Sequence, residues 1–348
     1  MRVTTAPPAA MAAAGAVCIS SSAVLMALAA TSASITALGR CAFALPVLGA
    51  ATLIERRRGA RPMPPRGRWL ARLAGVFLAG DLVLWSHAIG AIGAGLGTVV
   101  TNLSVLIISL LAWLVLGERP GRSLMFASPV MLAGLVLVGG LGGLGGLGGA
   151  RAYGSDPALG VADGVGVAFL YAIYILMLRQ AASHRGADGS RVAVADPLWQ
   201  ATLGATAGSA ALGFALRDFH LGHAWPALGW LALLAITSQV IGWLLITVSM
   251  PRLPAAMVGA LLLVQPAGSV GLSYLVLGER PSGWQLLGVA LVLAGVLVAV
   301  GGRASAVRSG RGARPAAAAS HRGYRRDSTR IIRQASAAST GESVAKSP

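Results

Sequence analysis

Apolar runs of bilayer-crossing length recur so often in this chain that they leave little sequence for any other kind of fold. A transmembrane helix needs about 20 predominantly apolar residues. Ten segments qualify, at 9–30, 33–53, 70–91, 95–116, 122–142, 158–178, 197–216, 226–248, 254–277 and 284–301. Only 11% of the residues are charged, against about a quarter in a soluble domain, so the chain cannot coat a water-facing surface. The expected fold is an all-α integral membrane bundle of ten transmembrane helices.

The net charge of +17 raises the question of nucleic acid, and the placement of the arginines answers it. They lie between and after the apolar runs, with no soluble fold to present them as a groove, so no nucleic-acid partner is expected. They read instead as an orientation signal, since cytoplasmic loops of membrane proteins are enriched in Lys and Arg. With the N-terminus inside, 24 of the 28 basic residues fall in cytoplasmic segments. These include Arg56, Arg57, Arg58, Arg61, Arg66, Arg68 and Arg72 between spans two and three, and Arg179, Arg185 and Arg191 between spans six and seven. Only Arg151, Arg217 and Arg280 fall in outer loops, and Arg40 lies inside a span. Both termini are therefore expected in the cytoplasm, and membrane lipids are the expected surroundings of every span. The segment 302–348, rich in Ala, Ser and Arg, is expected to be a disordered cytoplasmic tail.

Several function classes lose support at this stage. Cys18 and Cys41 lie in apolar runs without metal-ligand spacing and read as packing residues. The run LGGLGGLGGA at 141–150 follows a membrane helix and lacks the Lys-Ser/Thr ending of a phosphate loop, so it reads as a flexible linker. His220 and His223 have loose metal spacing but no companions. No paired carboxylates, nucleophile–base pair or cofactor motif lies within the spans, so neither an enzyme nor a bound cofactor is expected. The first apolar run exceeds a typical signal-peptide core and is read as a retained helix. A membrane scaffold or sensor, its basic tail held by anionic lipid, is a competing class.

The chain repeats itself. LVLGERP at 114–120 recurs at 275–281, and 10 of the 25 positions from 114 to 138 match those 161 residues later. Upstream, Asp81 and Trp85 align with Gln239 and Trp243. The organisation is therefore a first five-helix repeat with its glycine-rich linker (1–150), a second five-helix repeat (151–301), and the tail. Five is odd, so the second copy must enter the bilayer from the opposite side as an inverted repeat, a frequent design of secondary transporters.

With these features the sequence resembles the drug/metabolite transporter superfamily, in particular its EamA-type ten-helix transporters. The likeness rests on the duplicated LGERP turn, Gly39-Arg40 with Pro46 in span two, and Gly93-Ala-Gly95 at the entry to span four. In the second half it rests on SQVIGW at 238–243, PRLP at 251–254 and Gln265-Pro266. The resemblance implies an inner-membrane carrier of bacterial type that moves amino acids, metabolites or toxic compounds, usually outward and on ion gradients. Import or exchange is the alternative direction. A homodimer is compatible with the sequence, although small residues abound in every span and mark no dimer face.

Polar residues inside the spans nominate the site. Asp81, near the middle of span three, is costly to bury ionised and must face a partner or a watery cavity. It is the candidate proton carrier or substrate counter-ion, with Arg40 as a candidate ion-pair partner. Gln239, its repeat mate, cannot titrate. Asn102 and Gln265 must find hydrogen bonds within the bundle or from a substrate. Pro266 frees a backbone carbonyl and kinks its helix. Trp85 and Trp243 are candidate walls of an aromatic-lined cavity, and Tyr171 and Tyr174 weaker ones. His87 and Ser104 are minor candidates. Glu118 and Glu279, in the GERP turns, read as anchors of helix ends. Spans three, four, eight and nine are expected to line the cavity.

Overall fold

A computed structural model describes residues 7–116, 122–139, 153–183, 193–220, 224–249, 253 and 264–312. Glu118, the glycine-rich run 141–150, Arg151, Arg185, Arg191, His223, Pro254 and the tail beyond 312 lie outside the described residues. Contacts divide the chain into a body, Met1–Arg303, and a second unit, Ala304–Pro348, described only through its helical residues up to 312.

Every element described is helical. Span one is α1 (Pro8–Ser20) and α2 (Ser22–Ala29), interrupted at Ser21. Span two is α3 (Ala33–Arg57) and span three α4 (Pro65–Ile92). Span four is α5 (Ala94–Thr101) and α6 (Ser104–Leu116), span five α7 (Arg122–Val138), and span six α8 (Pro157–Ser183). The position expected of span seven holds α9 (Asp196–Leu216), which is not among the helices long and apolar enough to cross a bilayer. Span eight is α10 (Ala224–Leu234), a π-helical segment Ala235–Gly242, and α11 (Trp243–Ser249). From span nine the structure describes α12 (Val264–Leu272) and a π-helical turn Ser273–Leu277. Span ten is α13 (Gly283–Gly312). Among the described residues six stretches, three of them interrupted, are long and apolar enough to cross a bilayer; Ser123–Val138, Val264–Leu277 and Gly283–Ala299 are shorter apolar helices.

Two sequence expectations are corrected here. The helix of span ten does not end at 301 but continues to Gly312. Span four is not one helix. Its backbone tightens at Asn102 and Leu103, whose N–H groups bond Val99 and Val100 three residues back. The Asn102 side chain donates to the Thr98 carbonyl at 2.9 Å, so it competes with the regular ladder at this point.

Small residues hold the bundle together. Helices in lipid gain little from burying apolar side chains and associate through close packing. Gly75 of α4 and Gly204 of α9 meet backbone directly: a Cβ built there would lie 2.0 Å from the Ala201 carbonyl oxygen and 1.9 Å from that of Arg72. Many large apolar side chains also point outward, among them Trp69, Phe126, Phe214 and Leu275, all exposed. Buried Thr and Ser hydroxyls bond carbonyls four residues back, as Thr98 does to Ala94 and Thr202 to Leu198.

Helix ends are sealed by residues distant in sequence. The start of α3 is capped by Asp218, just past the end of α9: the Ser34 N–H donates to its carboxylate at 3.0 Å and the Ser32 hydroxyl to its carbonyl at 2.6 Å. The start of α9 is met in turn by the end of α3, where Glu55 accepts the Ala195 N–H at 3.1 Å and Arg56 pairs with Asp196 at 2.9 Å. The two helices are therefore antiparallel. Buried Asp196 also accepts the Met63 N–H at 2.9 Å and the Gln200 amide at 3.3 Å, and Gln200 accepts from Arg72 at 2.8 Å. Glu279, in the second GERP turn, accepts the N–H groups of Ala94 and Gly95 at 2.6 and 3.1 Å and so caps α5. Gly93, immediately before, has φ +88°, which an L side chain adopts only with strain. Beside this cap Tyr153 stands outside the spans, and burial, then the nearby Glu279 charge, raise its phenol above the ordinary value.

Candidate functional site

A cavity of about 320 Å³ opens within the body. Leu78, Asp81, Leu82 and Trp85 reach it from α4, and Arg40 from α3. Val167, Tyr171, Tyr174 and Ile175 of α8 form a facing wall. The break in span four delivers Thr101, Asn102 and Ser104, with Val105 and Ile108 beyond it. Gln239 sits on the π-helical segment, where the extra residue per turn re-aims side chains. Trp243 and Ile246 of α11, Gln265 of α12, Ile19 of α1 and Val296 of α13 complete the lining.

The structure thus brings together seven of the eight sequence candidates: Arg40, Asp81, Trp85, Asn102, Gln239, Trp243 and Gln265. Pro266 is the exception, buried in the first turn of α12 and absent from the lining. His87 points away and is exposed. Lining from α1, α3, α8 and α13 is added to that expected from spans three, four, eight and nine. Tyr171 and Tyr174, their rings 5.9 Å apart, both line the cavity.

Polar contacts inside the cavity depart from the sequence expectation at one point. Arg40 and Asp81 form no ion pair among the described residues. Arg40 Nε instead donates to Gln239 Oε1 at 3.0 Å, and the guanidinium carbon lies 5.7 Å from the centre of the Trp85 ring. That bond joins a residue of the first half to the repeat mate of Asp81. Arg40, Asp81 and Trp85 are 4%, 5% and 6% exposed, yet Arg40 Nη1, Asp81 Oδ1 and Trp85 Nε1 have no hydrogen-bond partner in the protein. Buried polar groups are otherwise almost always satisfied. Such unsatisfied groups on a cavity wall are what a polar ligand or a proton can engage. No group of three or more His, Cys, Asp or Glu side chains suited to a metal occurs among the described residues.

Sequence reasoning passed over Asp196. It stands at a helix start next to Pro197, where an acid reads as an ordinary first-turn residue, and its three partners, Arg56, Met63 and Gln200, come from three separate segments.

Comparison with known proteins follows the same lines. A solved crystal structure of a protein 20% identical superposes with a TM-score of 0.55, covering 84% of this chain and 96% of that one; the likeness establishes the fold alone. No curated protein matches the chain. The model of the EamA-like transporter family matches twice, at residues 7–140 and 158–301. These two matches lie on either side of the glycine-rich run and take in every cavity-lining residue, so the chain belongs to the EamA-like transporter family and is a multi-pass membrane transporter of the drug/metabolite type.

Proposed function

We propose that this transporter is a gradient-driven exporter of a small metabolite or drug-like compound, working by alternating access in a bacterial inner membrane. Its ten spans form two inverted five-helix repeats, and both termini are cytoplasmic. Antiparallel packing of α3 and α9, second helices of their respective halves, supports inversion, because a direct repeat would run them parallel. The cluster of arginines from Arg56 to Arg72 marks the cytoplasmic side.

The observation that carries this function is the convergence of intramembrane polar residues from both halves on one cavity. Asp81 is the proton carrier, since it is the only carboxylate among the lining residues. Asn102, Gln239, Gln265, Trp85, Trp243 and Arg40 contact or orient the substrate. Gln239 offers no proton, so proton movement runs through the first half only. No cofactor is required.

The test is untargeted metabolite profiling of medium and cytoplasm in cells overproducing wild type or Asp81→Asn, and in a deletion strain. A compound enriched in the medium only with wild type identifies the exported class and makes Asp81 essential. Equal export by Asp81→Asn refutes the proton role. Enrichment inside the wild-type cells reverses the direction to import.

A further inference from the structure

Among the three partnerless polar atoms of the cavity wall, two are donors on side chains in contact: Arg40 Nη1 and Trp85 Nε1. Gln239 accepts from Arg40 Nε, which fixes the guanidinium plane but supplies no negative charge. Among the described residues no carboxylate lies within ion-pair distance of Arg40. A guanidinium buried to this degree with no carboxylate in direct contact is costly, and its planar fork suits an oxyanion better than any other ligand group. The rest of the wall is mostly apolar: Leu78, Leu82, Ile108, Val167, Trp243 and Ile246 all face the same space.

We propose that the corner formed by Arg40 and Trp85 binds the oxyanion of the substrate, and that the transported compounds are amphipathic organic acids. Such a compound carries one compact oxyanion on an aromatic or branched aliphatic body. This rests on the transporter reading above. The oxyanion accepts hydrogen bonds from Arg40 Nη1 and Trp85 Nε1 while the body packs on the apolar wall. Asp81, when it carries its proton, does not repel the anion. A carboxylate and a phosphate monoester present the same chemistry to this corner. The carboxylate, a monoanion at neutral pH, loses less hydration on entering a cavity with apolar walls.

The test measures binding by calorimetry to the purified full chain in detergent. The probes are 3-phenylpropionate, its neutral amide, phenethylamine, phenylalanine and phenyl phosphate. We expect the acid to bind at least tenfold more tightly than the amide, with that ratio abolished by Arg40→Gln. Trp85→Phe keeps an aromatic ring and deletes the N–H, and should weaken acid binding about threefold or more and amide binding by a smaller factor, so that the acid-to-amide ratio falls; it carries the test alone should Arg40→Gln fail to fold. Phenyl phosphate binding above the acid supports the same corner and assigns it to phosphate esters. Three outcomes overturn the proposal: the amide or phenethylamine binding as tightly as the acid, the acid preference surviving the substitutions, or phenylalanine binding most tightly. The last would seat an amine on Asp81 and make the ligand a zwitterion. Because binding is read without transport, an acid that binds but is never moved leaves this site standing and refutes the transport function instead.

Discussion

Removing the Glu279 carboxylate should loosen the start of α5, and the structure sets the size of the effect. Its two oxygens accept the N–H groups of Ala94 and Gly95 at 2.6 and 3.1 Å, and Glu279 itself is 4% exposed. Those N–H groups are among the first four of a helix and have no intrahelical partner. Glu279→Gln keeps the length and one acceptor but loses the second bond and the charge that complements the helix N-terminus, a loss of about 2 kcal/mol. Glu279→Ala leaves both donors buried and unpaired and should cost ~3–4 kcal/mol. At roughly 2 °C per kcal/mol for a chain of this length, the unfolding midpoint falls by about 4 °C for Gln and ~6–8 °C for Ala. The assay is intrinsic fluorescence during heating of detergent-purified protein, with exposed Arg280→Ala as the control, expected to shift by less than about 1 °C. Midpoints for both Glu279 variants within that margin would refute the capping argument, as would a Gln variant less stable than Ala.

The other expectations concern packing and buried polar groups. Gly75→Ala and Gly204→Ala each drive a methyl into the backbone of the facing helix, so both should lose at least ~1–3 kcal/mol and give a reduced yield of monodisperse protein on gel filtration. Asp196→Asn removes the charge facing Arg56 while keeping the shape; a loss of about 1.5–3 kcal/mol is expected from denaturation midpoints, and an unchanged midpoint would show the pair to be idle. Gln285, fully buried, accepts from the Tyr153 N–H and donates to the Val138 and Tyr153 carbonyls. Gln285→Leu should therefore raise proteolysis near residue 153 severalfold while leaving cleavage elsewhere in the chain unchanged.

Much of the architecture could be read from the sequence because bilayer thickness imposes a run length that a linear scan detects. The LGERP duplication carried the repeat, and polar residues such as Asp81, Asn102 and Gln265 stood out because a polar group in hydrocarbon needs a reason to be there. Which way a residue faces was far less legible. In water an amphipathic helix separates its two sides by polarity, but in lipid both the outward and the inward side are apolar. Tyr171 and exposed Phe169 therefore looked alike on paper, although one lines the cavity. The Arg40–Gln239 bond was invisible for another reason: it spans 199 residues, and proximity to Asp81 was the simpler guess from charge. The break at Asn102 was missed because its cause is a single side-chain bond to the Thr98 carbonyl, which composition does not encode.

The crossed capping of α3 and α9 bears on how the bundle can move. Each helix holds the other's first turn, so sliding one along the other strips both starting turns together, at opposite ends of the pair. The pair behaves mechanically as a braced strut with its length pinned at two points. Bending then falls to spans whose ladder is already interrupted, at Ser21, at Asn102–Leu103 and along the π-helical segments Ala235–Gly242 and Ser273–Leu277. Three of these four weak points adjoin cavity residues, so flexing there changes the shape of the cavity while the strut keeps its place.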